Sequence, residues 1–193
     1  MRIGIDLDNT LADYGNVVRQ LCGVHGVEVG EGDPKLALRG YFRAAGREPE
    51  WTALQGELYG PLMEGAVPFP GVVDFFGLAA AKGAECVVVS HRTRRPIAAG
   101  QLHDLHATAR AWIERHLPTG LKVHLAETKQ EKLSRIGELQ VNAFIDDLPE
   151  LLGAEGFPVG VARILFDPRN EHPEQPGVER FQTWACIAAR LLG

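Results

Sequence analysis

The sequence predicts an α/β fold: a parallel sheet flanked by helices, with a small helical cap inserted after the first strand. Three observations carry this prediction. Short apolar runs ending in polar residues alternate with segments of helical period, the pattern of strand–crossover–strand units. Acidic residues follow two of these runs, at Asp6-Leu7-Asp8 and Asp146-Asp147, where a parallel sheet keeps its strand ends. Between Thr10 and Pro68 the alternation stops, leaving helical pieces and no convincing strand.

Taken in order, the first strand is expected at 2–5, ending on Ile3-Gly4-Ile5 just before Asp6. Helical pieces follow at 15–22, 36–45 and 51–58, with loop-like stretches at 30–34 and 60–65. Pro68-Phe69-Pro70-Gly71 is a stiff re-entry into the core. The helix at 72–81 stops at Lys82-Gly83, and strands are expected at 86–89, 123–125, 143–145 and 162–166. The stretch 105–116 carries Leu105, Ala109, Trp112, Ile113 and His116 at helical spacing and reads as a crossover. A short helix at 132–139 and a terminal one at 183–192 complete the pattern. The expected division is a core of 1–13 and 68–193 around a cap of 14–67.

Composition narrows the function classes. At 193 residues, 45% hydrophobic and 23% charged, the chain suits one folded domain with an insertion. The formal net charge is −5, and only Arg92, Arg94 and Arg95 form a tight basic group, which argues against a nucleic-acid duplex as partner. Three widely spaced cysteines, Cys22, Cys86 and Cys186, fit neither a disulfide framework nor a zinc site, so a reducing cytoplasm is expected. Met1 leads directly into a strand that reaches Asp6, so no signal-peptide or membrane-spanning segment is expected.

The chemistry concentrates at three strand ends. In Asp6-Leu7-Asp8-Asn9-Thr10 the second aspartate lies just beyond the strand, where the chain turns, so both carboxylates can face one pocket. Asp146-Asp147 adds a second pair at a neighbouring strand end. Like charges so close are costly unless a cation neutralises them, and oxygen ligands with room for water and a phosphate suit Mg²⁺. The candidate metal set is therefore Asp6, Asp8, Asp146 and Asp147. Asp147 also stands where it can cap a helix opening at Leu148-Pro149-Glu150. At Ser90-His91-Arg92 a third strand ends in a hydroxyl, an imidazole and a guanidinium, all candidates to hold phosphate oxygens. His103-Asp104-Leu105-His106 has no third metal ligand at a useful spacing, and Asp104 suits a first helical turn. The glycine-rich stretch 23–32 lacks the strand–loop–helix context of a dinucleotide fingerprint, which sets a Rossmann dehydrogenase aside.

The order Asp-x-Asp-x-Thr, strand-end Ser, Lys, then Asp-Asp resembles the haloacid dehalogenase (HAD) superfamily of phosphatases, over nearly the whole chain. The resemblance implies a Rossmann-like core, Asp6 as nucleophile and Asp8 as general acid and base. It implies Ser90 and Lys132 as ligands of the transferring phosphoryl group, Asp146 as metal ligand and Asp147 as its companion. Lys129 lies one helical turn from Lys132, and the spacing before Phe144-Ile145-Asp146-Asp147 selects Lys132. Asp8 argues against a true dehalogenase, which in this superfamily lacks that acid and uses no metal. A helical cap of this kind implies a small diffusible substrate. Tyr14, Tyr41, Phe42, Trp51 and Tyr59 are expected as the cap's own core rather than as a stacking platform. The opening Asp6–Tyr14 and the Ser-x-Arg resemble the cytosolic 5′(3′)-deoxyribonucleotidases, which usually have Gly-Val where this chain has Asn9-Thr10. The expected activity is a Mg²⁺-dependent phosphomonoester hydrolase acting on a small metabolite. A phosphotransferase or mutase of the same fold, and a catalytically silent binding module, are the alternatives.

Overall fold

A computed structural model describes residues 1–193. Two compact units are present: Met1–Ala12, Pro68–Arg92 and Leu117–Gly193 form one, and Asp13–Val67 with Thr93–His116 the other. In chain order the elements are β1 (Arg2–Ile5), β2 (Ala12–Asp13), α1 (Gly15–Val24), α2 (Pro34–Ala44), α3 (Glu48–Tyr59), a 3-10 turn (Pro61–Gly65), β3 (Val67–Pro68) and α4 (Val72–Ala81). They continue with β4 (Glu85–His91), α5 (Leu105–His116), β5 (Lys122–Ala126), α6 (Lys129–Glu138), β6 (Ala143–Asp146), α7 (Pro149–Leu152), β7 (Ala162–Phe166), β8 (Val178–Phe181) and α8 (Trp184–Leu192).

The first unit is built on a six-stranded sheet in the order β5-β4-β1-β6-β7-β8. Every pairing is parallel, with Ile5 beside Val88 on one side and Ile145 on the other. The apolar runs are buried on both faces, as a parallel sheet covered by helices requires. Val87, Val89, Phe144 and Leu165 pack with Leu133 and Ile136 of α6 and Leu151 and Leu152 of α7. The next residue along β7, Phe166, lies in another cluster: it packs tilted against Trp184 of α8 at 5.7 Å, and Trp184 meets Phe75 of α4 edge-on at 4.9 Å. Adjacent residues of one strand thus feed opposite layers, the expected period of two. Gly4 is required where β1 passes β6, since a Cβ there would come within 2.6 Å of the Phe144 ring.

Most strand expectations hold. β4 extends through Ser90 to His91, and β8 was not anticipated. Its sequence Val-Glu-Arg-Phe is only half-buried along its length, so it carries no apolar run.

The second unit is helical. Tyr14, Phe42 and Trp51 are buried in its core, as expected of them, while Tyr41 is exposed. Tyr59 meets Tyr14 edge-on at 5.5 Å and accepts a hydrogen bond from Lys35 Nζ at 2.7 Å. The stretch expected as a loop at 60–65 forms a 3-10 turn. The helix at 105–116, expected as a crossover of the sheet, groups with this unit instead. Its apolar side seals onto the 3-10 turn, where the Trp112 indole N–H donates to the Ala66 carbonyl at 2.8 Å. His103 pairs with Glu57 at 3.0 Å, and Asp104 accepts from the Ala107 amide at 3.0 Å, which is the first-turn role expected of it. No helix of the protein is long and apolar enough to cross a membrane.

Candidate active site

Three strand ends of the first unit converge where the strand order reverses, the place at which open parallel sheets keep their ligands. Asp6 follows β1 directly, and its amide donates to the Ile145 carbonyl at 2.9 Å. Beyond it the chain folds into a tight loop. Asn9 adopts a left-handed conformation at φ +59°, which asparagine tolerates, and the amides of Leu11 and Ala12 both close onto the Leu7 carbonyl at 3.0 and 2.8 Å. This turn carries Asp8 out of the strand.

Lys132 joins two of the strand ends. It is 1% exposed and donates to Asp6 Oδ1 and to Asp146 Oδ2, each at 2.6 Å. Helix α6 delivers it because Thr128 caps the helix, accepting from the Glu131 amide at 3.1 Å, so the helix starts at Lys129, three residues before the expected start. Lys129 lies on the solvent side, pairing with Glu150 at 3.6 Å with half its side chain exposed. The spacing that selected Lys132 therefore picks the buried lysine. Asp146 is fully buried, and its second oxygen accepts from the Leu148 amide at 2.9 Å. Asp147 does not cap α7, whose first residue is Pro149 and whose start carries no side-chain cap. Its Oδ1 instead accepts from the Thr10 hydroxyl at 3.3 Å.

The electrostatics follow from this burial. Desolvation pushes the Asp6 carboxyl up to about 7, with Asp146 and Asp8 adding to the rise and Lys132 opposing it. Burial works against the Lys132 ammonium, yet Asp146 and Asp6 more than offset it and hold its pKa above the ordinary lysine value. Formally, four carboxylates (Asp6, Asp8, Asp146, Asp147) meet two cations, Lys132 and Arg92, leaving an excess matched by one divalent ion. Oxygens of Asp6, Asp146 and Asp147 lie within 4.8 Å of one another. Ligands about 2.1 Å from a common Mg²⁺ stand no more than roughly 4 Å apart, so the carboxylates would draw in by a few tenths of an ångström around the ion, and it is their hard-oxygen chemistry and excess negative charge that fit it.

The remaining candidates divide. Ser90, at the end of β4, is 1% exposed and its hydroxyl has no hydrogen-bond partner, leaving a donor ready for an incoming oxygen. Arg92, expected on phosphate, is buried and bonded to Asp8, with Nε on Oδ2 at 3.2 Å and Nη2 on Oδ1. Asp8, expected among the metal ligands, is therefore held by a guanidinium and lies outside the three-carboxylate group. The ring of His91, another phosphate candidate, contacts the Glu127 carbonyl at 3.2 Å, and burial holds its pKa below the usual histidine value. Two partners were not anticipated: the Thr10 hydroxyl, inside the first motif, and the Leu148 amide. The sequence signal for Thr10 was its fixed place in Asp-x-Asp-x-Thr; for a backbone amide there is none.

No family model matches the sequence, and no curated protein is significantly similar to it. Solved structures are similar in fold. The HAD-hydrolase YfnB from Bacillus subtilis, bound to magnesium, superposes with a TM-score of 0.58 at 15% identity, over 98% of this chain and 97% of that one. The L-2-haloacid dehalogenase from Xanthobacter autotrophicus, with chloropropionic acid covalently bound, gives 0.57 at 12% identity over 100% and 99%. CbbY from Rhodobacter sphaeroides, in complex with phosphate, gives 0.50 at 16% identity over 95% and 94%. The chain thus has the Rossmann-like α/β fold of HAD-superfamily structures.

Proposed function

We propose, from this shared fold and from the carboxylates gathered around Lys132, that the protein is a Mg²⁺-dependent phosphomonoester hydrolase acting on a small phosphorylated metabolite. The observation that carries the reading is Lys132, buried between Asp6 and Asp146 at 2.6 Å from each. A lysine so placed fixes Asp6 through Oδ1 and leaves Oδ2 to attack phosphorus. A bond forms from Oδ2 to phosphorus as the bond to the leaving alkoxide breaks, and Asp8 gives that alkoxide its proton. Water then attacks the aspartyl phosphate, Asp8 takes back a proton, and phosphate leaves with Asp6 restored. Ser90 and Lys132 hold phosphoryl oxygens; Arg92 orients Asp8, and one Asp8 oxygen leaves the guanidinium to carry the proton that it gives. Asp6, Asp146 and Asp147 would hold Mg²⁺, which when bound neutralises charge on the phosphoryl oxygens. Asp8 supports phosphoryl transfer over dehalogenation, since the resemblance that relates this chain to dehalogenases gives those enzymes no acid there. Nucleoside monophosphates lead the substrate classes, through the likeness of Asp6–Tyr14 and Ser-x-Arg to nucleotidases.

Phosphate release from a panel of nucleotides and sugar phosphates, with and without Mg²⁺, tests the reading beside Asp6→Asn. Wild type is expected to turn over only with the metal, and the variant to lose at least a thousandfold in rate. Full turnover by Asp6→Asn would remove the nucleophile and the mechanism with it. A new phosphoester in place of free phosphate would make the protein a phosphotransferase.

A further inference from the structure

We propose that Trp184, at the start of α8, is a positioning residue for the carboxylate cluster, acting through Thr10 on Asp147. The inference rests on reading Asp6, Asp146 and Asp147 as a Mg²⁺ site. The indole N–H donates to the Thr10 carbonyl at 3.3 Å, and the Thr10 hydroxyl donates to Asp147 Oδ1 at 3.3 Å. Trp184 and Thr10 are both 0% exposed, so neither group can turn to water instead. The loop's own backbone bonds end on the carbonyls of Leu7 and Ala12, and the Leu11 carbonyl accepts from the Phe69 amide. The Thr10 carbonyl finds its partner in the indole. A buried carbonyl left without one is unfavourable, so the indole stabilises the loop in its closed form.

Trp184 itself is held on every side. Thr183 caps α8, accepting from the Cys186 amide at 3.2 Å, and so fixes where the helix begins. The ring stands between Phe75 at 4.9 Å and Phe166 at 5.7 Å. Behind it lies Gly71, at φ +87°, where an added Cβ would be 3.1 Å from Trp184 Cβ. A phenyl ring would fill most of this space without an N–H. What the indole adds is a fixed height for Thr10, and hence for Asp147 relative to Asp6 and Asp146.

Magnesium alone is titrated calorimetrically into the metal-free 193-residue protein, with no substrate present. The variants are Trp184→Phe, which keeps a ring and deletes the donor, and Thr10→Val, which keeps the shape and deletes the hydroxyl. Phe75→Leu, which loosens the same packing but leaves the N–H in place, is the control. Each relay variant is expected to bind Mg²⁺ roughly tenfold more weakly, as loss of groups that support metal ligands does. The double variant is expected to be no weaker than the worse single one, because the two act in series. Phe75→Leu is expected to melt lower with its Mg²⁺ affinity unchanged. Wild-type affinity in a folded Trp184→Phe overturns the proposal; should that variant fail to fold, wild-type affinity in Thr10→Val overturns it. If the wild-type protein itself takes up no Mg²⁺, the metal reading falls and carries this inference with it, a result distinct from binding that no variant alters.

Discussion

Lys132 shows how much one side chain contributes when it is buried between charges. Replacing it with methionine keeps the stem but leaves Asp6 and Asp146 facing each other without their shared cation. Removing one partner of a buried ion pair costs about 3–5 kcal/mol. For a chain of this length each kcal/mol moves the melting temperature by roughly 2–4 °C. Metal-free Lys132→Met is therefore expected to melt some 10 °C below wild type by calorimetry. Lys129→Met, which removes an exposed pair, is expected to stay within about 1 kcal/mol of it. Equal losses in the two variants would mean that Lys132 does not hold the site together.

At the scale of the element, α6 is the lever that brings Lys132 to the strand ends, and its start is set by Thr128. The signature Thr128-Lys129-Gln130-Glu131 is a capping pattern, and the Glu131 carboxylate reaches back to the Glu127 amide at 2.8 Å. Thr128→Ala is expected to cost about 1 kcal/mol, or 2–4 °C in the melting temperature. An unchanged melting temperature would assign the helix start to tertiary packing rather than to the cap. The helix was expected only from 132, because the apolar positions that marked it begin there, whereas the cap that starts it lies a turn earlier among polar residues. β8 was not legible, because Val178–Phe181 sets two adjacent charged residues between two apolar ones, neither an apolar run nor an alternation, and its identity as a strand depends on β7 lying beside it. The helix at 105–116 was legible as a helix, but its apolar face did not say which surface it would cover.

For the whole molecule, the charge of the site couples stability to pH and to metal. Burial pushes the Asp6 carboxyl up to about 7 in the folded protein, from 3.8 for the free side chain. The folded state thus binds more protons than the unfolded chain between those values, and stability falls as pH rises from about 4 through 7. Metal-free melts across this range are expected to decline. Mg²⁺ and the proton compete for Asp6, so the stabilisation by Mg²⁺ is expected to grow over the same window. At a free concentration a hundred times its Kd, the ion adds about 2.7 kcal/mol, or roughly 5–10 °C. A Mg²⁺ effect of equal size at pH 5 and pH 7.5 would show that Asp6 is not a ligand.

Lys132 was singled out by the family resemblance, while the sequence alone determined the sheet's principal strands and the placing of Asp6, Asp8, Ser90 and Asp146 at or just beyond their ends. Each of these rests on a pattern that fits within a few residues: an apolar run or a turn. Only the tertiary structure decided the partners. Arg92 grips Asp8 across 84 residues, and Trp184 meets Thr10 across 174. His91 contacts the Glu127 carbonyl rather than joining the cluster. Such pairings are absent from local pattern because hydrogen bonds between buried groups are fixed by where whole elements pack, and that is set by burial of apolar surface distant in the chain.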